Sequence, residues 1–199
     1  MTGRVARSPL ILASASPRRL ALLERIGVAP DLVVPAALDE TPRPRELPAP
    51  HATRLAREKA AAVATLHPGA YVLAADTVVA SGRRILPKAE TEAEARRCLA
   101  LLAGRRHRVL TAVCLIAPDG RRASRLAVTR VMVKRLSRAE RDAYLASGEW
   151  RGKAGGYAIQ GRAEAFIPWI NGSYSNVVGL PLAETAALLA GLGYETASP

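Results

Sequence analysis

Residues 9–27 constrain the fold of this chain more than any other stretch, because an apolar strand there runs straight into a helix. Pro9 to Ala15 is short, apolar and bounded by a helix-start signal, the pattern of a core strand. Ser16 suits the N-cap, and Pro17 suits the first helical position, where its missing N–H costs nothing. Leu20, Leu22, Leu23 and Ile26 give the helix an apolar side, and Gly27 stops it. Arg18 and Arg19 break the local rule: they sit in the first turn, at the positive end of the helix dipole, where acidic residues are preferred. A helix N-terminus with hydroxyls and two guanidinium groups is a site for a polyanion. Two solvated arginines of a basic protein are the plainer alternative. Since an arginine opposes the dipole there, removing Arg19 is expected to cost the fold little.

The chain of 199 residues is long enough to bury a sizeable core as one domain or two small lobes. Its net charge of +12 favours acidic partners: nucleotides, nucleic acid or anionic membrane. Only 4% of the residues are aromatic, which argues against single-strand nucleic-acid binding by base stacking. Cys98 and Cys114 have no metal or redox spacing; one falls on a predicted helix and one in a predicted strand, as two buried reduced thiols. Two N-terminal arginines, Arg4 and Arg7, precede an apolar run and Ala13-Ser14-Ala15, which resembles a leader cleavage site. The run Pro9–Ala13 is shorter than the roughly 7–15 residues of such a leader, and its removal would delete the first strand. No apolar run approaches the roughly 20 residues of a membrane span, so the chain reads as cytoplasmic.

Asp31 to Pro35 is a second short strand. Asp39 and Glu40 follow as adjacent carboxylates, candidate hard ligands for Mg²⁺ or Mn²⁺. Pro42, Pro44, Pro48 and Pro50 hold residues 41–50 as a loop. Thr53 to Leu66 is a helix on which Lys59 reads as surface charge. Tyr71 to Ala75 is a continuous apolar run, typical of a strand covered on both faces, and Asp76-Thr77 ends it. A carboxylate at the end of a buried strand is costly unless hydrogen-bonded, paired or bound to metal, and in α/β proteins ligands gather there. Val78–Ala80 and Ile85–Leu86 flank a hairpin turn at Ser81-Gly82. Thr91 and Glu94 form a capping box for a helix through Leu102, and Ser137 and Glu140 form another for a helix through about Ala146. Val109–Ala117 and Leu126–Val133 are strands joined through Pro118-Asp119-Gly120.

Gly152, Gly155, Gly156 and Gly161 surround Lys153 in a stretch that is neither a Rossmann nor a P-loop fingerprint; turns and close backbone approach to a ligand both suit it. Phe166–Ile170 is an edge strand because of Pro168, Asn171-Gly172 is a hairpin-type turn, and Gly179-Leu180-Pro181 leads into a last helix through about Leu189. His51, His67 and His107 lie far apart and propose no catalytic pair.

Several of these stretches together resemble the Maf-type nucleoside triphosphate pyrophosphatases. They are Leu12–Arg19, Arg57–Ala60, Ala75–Val79, Lys153–Gly161 and Ile170–Tyr174, with Val178–Leu182 behind them. The resemblance covers nearly the whole chain and implies a single α/β domain over residues 1–199. Its fold would be a mixed twisted sheet flanked by helices, two lobes around a cleft, shared with the inosine-triphosphatase-like enzymes. It implies a homodimer, a divalent metal cation (Mg²⁺ or Mn²⁺), and hydrolysis of a nucleotide to its monophosphate and pyrophosphate. Asp76 matches the family's catalytic carboxylate. Ser14, Arg19, Lys59 and Lys88 match phosphate-side residues. Glu40 matches an acidic residue of the site, a metal ligand together with Asp76. Lys88 stands in Leu86-Pro87-Lys88-Ala89, where many relatives have a Lys-Pro pair.

Arg18, Thr77 and Gln160 match the positions that separate substrate classes, and their combination resembles the branch acting on dTTP and UTP. Relatives acting on 7-methyl-GTP have Trp and Gln at the Arg18 and Thr77 positions. Gln160 offers a donor and an acceptor on one amide, matching the alternating carbonyl and N–H edge of uracil or thymine. The partner expected is therefore a nucleoside triphosphate, with no membrane and no stable nucleic acid. The alternatives are a pyrophosphatase for 7-methyl-GTP or inosine-type nucleotides, and a non-enzymatic nucleic-acid-binding protein using the positive charge.

Overall fold

A computed structural model describes residues 8–195; Arg4 and Arg7 of the leader-like run lie outside them. In chain order the first elements are β1 (Leu10–Ala13), α1 (Pro17–Glu24), β2 (Leu32–Val33), α2 (Pro48–Leu66) and β3 (Tyr71–Ser81). Then come β4 (Arg84–Leu86), β5 (Lys88–Ala89), α3 (Glu92–Leu102), β6 (Arg106–Ile116) and β7 (Arg122–Met132). The chain closes with α4 (Arg138–Ser147), β8 (Lys153–Ala154), a 3-10 turn at Arg162–Phe166, β9 (Trp169–Asn171), α5 (Tyr174–Val178) and α6 (Leu182–Gly191). The main sheet has the order β2-β1-β3-β6-β7-β9, with β4 also on β3, and β5 pairs with β8 apart from it. β1 is parallel to β2 and β3; every other pairing is antiparallel, so the sheet is mixed as expected.

Continuous apolar strands are buried on both faces because helices cover both. Leu10 and Leu12 of β1, Leu73 and Ala75 of β3 and Leu115 of β6 pack with Leu22 and Leu23 of α1 and Leu188 and Leu189 of α6. Ile11, Ala13, Val72, Ala74 and Cys114 point the other way, onto Ala52, Ala56, Ala60 and Val63 of α2. The small alanines let this 19-residue helix lie close on the sheet. A third cluster gathers at the far ends of the long strands, where Val79, Val109 and Val131 meet α3, α4, Trp150 and Tyr157. β3 thus runs from one core into another, and residues 76–77 lie between them, which gives the two lobes of the expected architecture.

Both capping boxes form as read, and Cys98 and Cys114 are buried free thiols. β9 lies at the sheet edge. Elsewhere the structure corrects the boundaries. The helix after the proline-rich loop starts at Pro48, not Thr53, because prolines in a first turn lose no intrahelical hydrogen bond. Phe166 belongs to the 3-10 turn, and only Trp169–Asn171 are extended. Asn171-Gly172 does not close a hairpin; Ser173 caps α5 instead, accepting from the Asn176 N–H at 3.2 Å. Ser16 stands at the N-cap of α1 but makes no side-chain capping bond; its own N–H donates to Ser14 Oγ at 3.1 Å.

Candidate active site

The principal correction concerns Asp76, which does not end its strand. β3 continues through it to Ser81, and Asp76 pairs with Ala112 of β6. What ends there is the neighbour on the other side: β1 pairs with β3 only as far as Ala74, and β4 pairs with β3 only from Val79 onward. On that edge Ala75, Asp76, Thr77 and Val78 have no strand beside them, and a cleft of about 350 Å³ opens in the gap. Successive residues of a strand face opposite sides, so Asp76 turns toward α2 while Thr77 turns toward α1 and α5. The gap lets groups from both faces of the sheet reach one space. Ser14, Arg18, Arg19, Glu40, Lys59, Asp76, Thr77, Lys88 and Gln160 all line it.

On the α2 face, Lys59 is buried at 6% exposure, so it is no surface charge. Its Nζ donates to Asp76 Oδ1 at 2.7 Å and pairs with Glu40 Oε1 at 2.6 Å. The other Glu40 oxygen accepts from Lys88 Nζ. The result is a chain of alternating charge, Asp76–Lys59–Glu40–Lys88. Burial alone would raise the Glu40 carboxyl, but hydrogen bonds from Lys59 and Lys88 and their charges outweigh it and hold it down at about 2. Asp39 takes no part: it is exposed, and its Oδ1 accepts from the Thr41 N–H at 2.9 Å. The loop bearing Glu40 is tied to α2 by Glu46, whose two oxygens accept from Arg54 Nε and Nη2, each at 2.7 Å.

On the other face, Arg19 is aimed from three directions. Its Nη1 donates to Ser14 Oγ at 3.1 Å, Nη2 to Thr77 Oγ1 at 3.2 Å and Nε to the Gly179 carbonyl at 2.9 Å. Arg19 is therefore built into the fold, and its loss is expected to cost stability, against the dipole argument alone, because three acceptors would lose their donor. Burial lowers the guanidinium from its ordinary value; the Asp76 charge opposes this and Arg18 adds to it. Burial also lowers Arg18, and it lowers Lys153, with Arg18 again adding to the effect. Basic side chains outnumber carboxylates around the cleft, six to two once Arg151 and Lys153 are included. Gln160 is exposed at the rim, and among the described residues no hydrogen bond engages its amide.

Glu40 and Asp76 are hard oxygen donors of the kind Mg²⁺ and Mn²⁺ take. Among the described residues no group of three or more His, Cys, Asp or Glu could hold a metal ion by itself. Two carboxylates fit a cation that also takes ligands from phosphate and water, the usual habit of Mg²⁺.

Residues that the sequence reading did not assign to the site also shape it. Thr111, Asn176 and Gly179 support Arg19 and Thr77 from behind. Nothing local marks Thr111; only the strand register, which sets it opposite Thr77, does.

A family model described as Maf-like protein matches residues 9–192. The dTTP/UTP pyrophosphatase of Rhodospirillum rubrum is 64% identical over 194 residues, 96% of this chain and 92% of that protein. That of Paramagnetospirillum magneticum is 67% identical over 185 residues, covering 93% and 97% of the two chains. That of Caulobacter vibrioides is 66% identical over 185 residues, covering 93% and 96%. With residues 9–192 matched, and with the strand-to-helix stretch and the split sheet edge forming one cationic cleft, the chain belongs to the Maf-like protein family.

Proposed function

We propose that this chain is a nucleoside triphosphate pyrophosphatase that hydrolyses dTTP and UTP to the monophosphate and pyrophosphate. The observation that carries it is the cleft itself: a buried carboxylate, Asp76, set between Arg19 on one face of the sheet and Lys59 on the other. The choice of nucleotide is supported by relatives more than 60% identical that are dTTP/UTP pyrophosphatases. Arg19, Lys59 and Lys88 would neutralise the triphosphate, the main requirement of phosphoryl transfer. Ser14 would add a hydroxyl donor at the helix N-terminus. Water attacks the α-phosphorus, its proton passes to Asp76, and the bond to the β-phosphate's bridging oxygen breaks to release pyrophosphate. Glu40 and Asp76 would hold Mg²⁺ or Mn²⁺, which when bound neutralises further charge on the phosphate oxygens. The homodimer and the cytoplasmic setting belong to the same proposal. Among the described residues no helix is long and apolar enough to cross a membrane.

Gln160, Arg18 and Thr77 would select the base. Cytosine presents a donor where uracil and thymine present a carbonyl, and would leave the Gln160 amide mismatched. Because that amide sits at an exposed rim, CTP is expected to be about tenfold poorer rather than excluded, and purine triphosphates poorer still. The test is pyrophosphate release from dTTP, UTP, CTP, GTP and 7-methyl-GTP in competition at equal concentration. Preference for either guanine nucleotide would overturn the base assignment. No release from any nucleotide, with salt-sensitive binding to DNA or RNA, would overturn the enzyme reading.

A further inference from the structure

We propose that Thr111 is a positioning residue of this site, the one hydroxyl through which both long-range supports of Arg19 are fixed. The inference rests on the reading of Arg19 as a phosphate-binding residue. Thr111 lies on β6 directly opposite Thr77 of β3, and it is fully buried. Its Oγ1 donates to the Asn176 carbonyl at 3.0 Å. A hydroxyl has one proton, so toward Thr77, 3.0 Å away, Thr111 can only accept. The Thr77 hydroxyl then donates to Thr111 and keeps its lone pairs for Arg19 Nη2. The bonds run one way, from guanidinium to Thr77 to Thr111 to the Asn176 carbonyl, and such chains polarise each other.

The second support also passes through Thr111. Arg19 Nε rests on the Gly179 carbonyl, three residues beyond Asn176. The Asn176 segment is pinned to the sheet by its side-chain amide, which donates to the Val109 carbonyl at 3.0 Å and Thr129 Oγ1 at 2.9 Å, and by Thr111. Without the Thr111 hydroxyl, the Asn176 carbonyl loses that donor and the Thr77 proton turns to its other acceptor. That acceptor is the Gly179 carbonyl 3.4 Å away, the atom that already holds Arg19. Both anchors of the guanidinium are disturbed by removing one oxygen that lies outside the cleft lining.

The experiment compares the full-length chain with Thr111→Val, which keeps the shape and loses the hydroxyl, and Thr111→Ser, which keeps the hydroxyl. Affinity for inorganic tripolyphosphate, KM and kcat for dTTP, and Tm are measured on each. Thr111→Val is expected to weaken tripolyphosphate binding and raise KM by about five- to tenfold, with a smaller change in kcat, while Thr111→Ser stays within about twofold. A folded Thr111→Val protein with lowered Tm but unchanged tripolyphosphate affinity and KM would overturn the proposal and leave Thr111 structural. If Thr111→Val does not fold, Thr111→Ala against Thr111→Ser puts the same question. If the unsubstituted chain releases no pyrophosphate, the pyrophosphatase reading fails, while tripolyphosphate affinity still decides the role of Thr111.

Discussion

Asp76 shows how much a single residue owes to its neighbours. A 4% exposed carboxylate survives because the Lys59 ammonium lies 2.7 Å away, itself shared with Glu40. Asp76→Asn removes the charge needed to take the proton but keeps an oxygen that can accept from Lys59. Turnover is expected to fall by about two orders of magnitude or more. The fold should survive, since Lys59 retains its partner in Glu40 and is not left as a lone buried charge. Steady-state rates and thermal melting of the purified variant check both halves. Near-normal turnover in a folded protein would remove Asp76 from the catalytic role. The residue types of the site were legible in the sequence: two arginines against a helix dipole, and an Asp closing an apolar run. Lys59 was reached only through the family resemblance, because nothing along a helix tells whether its lysine faces solvent or a carboxylate 17 residues away.

Among the elements, the glycine-rich stretch after β8 is the one whose spacing the structure explains. Gly155 has φ +68°, and a Cβ there would lie 2.7 Å from Val79 Cγ1 of β3. Its N–H donates to the Pro87 carbonyl at 3.0 Å, beside the short β5–β8 ladder. A glycine is needed both for the left-handed backbone and for the close approach. Gly155→Ala is expected to cost about 2–4 kcal/mol, from the strained φ and the overpacking against Val79. It should also raise KM for dTTP, because Lys153 and Gln160 ride on the displaced stretch. Chemical denaturation and a KM measurement test the two effects; unchanged stability would mean that Val79 yields freely. Helices with a capping box were read nearly to the residue, since the signal is local. The start of α2 was missed because the same prolines that mark a loop also fit a first helical turn.

At the scale of the whole molecule, the long strands pass through both lobes, and one buried contact inside the lobe built around Val131, Trp150 and Tyr157 is expected to respond to acid. His107 near the start of β6 is 3% exposed, and its Nε2 lies 2.7 Å from the Tyr157 hydroxyl at the cleft. Burial pushes the imidazole down to about 4 from its ordinary 6.5. The folded form therefore binds the proton less readily than the unfolded chain. The neutral histidine's contribution to stability is complete above about pH 6.5 and is lost as pH falls through about 4. The difference amounts to about 3 kcal/mol across that window. Urea unfolding between pH 7 and 4 should show this loss, and His107→Phe should flatten the slope there even if it lowers stability at pH 7. An equal slope in the variant would assign the acid sensitivity to other groups.

The local order of the chain carried most of the element types, both capping boxes and the cationic helix start, because propensity, capping and apolar runs act over a few residues, while the mixed α/β class came from the family resemblance. The place of the candidate site was decided only by tertiary pairing. β1 stops at Ala13 and β4 starts at Arg84, and where their partners on β3 lie depends on registers set by burial across the whole sheet. That register leaves residues 75–78 without a neighbour on one edge, and it sets Thr111 opposite Thr77. Lys59 and Arg19 reach the same cleft from opposite faces of the sheet because an open strand edge, unlike a strand end, gives access to both faces.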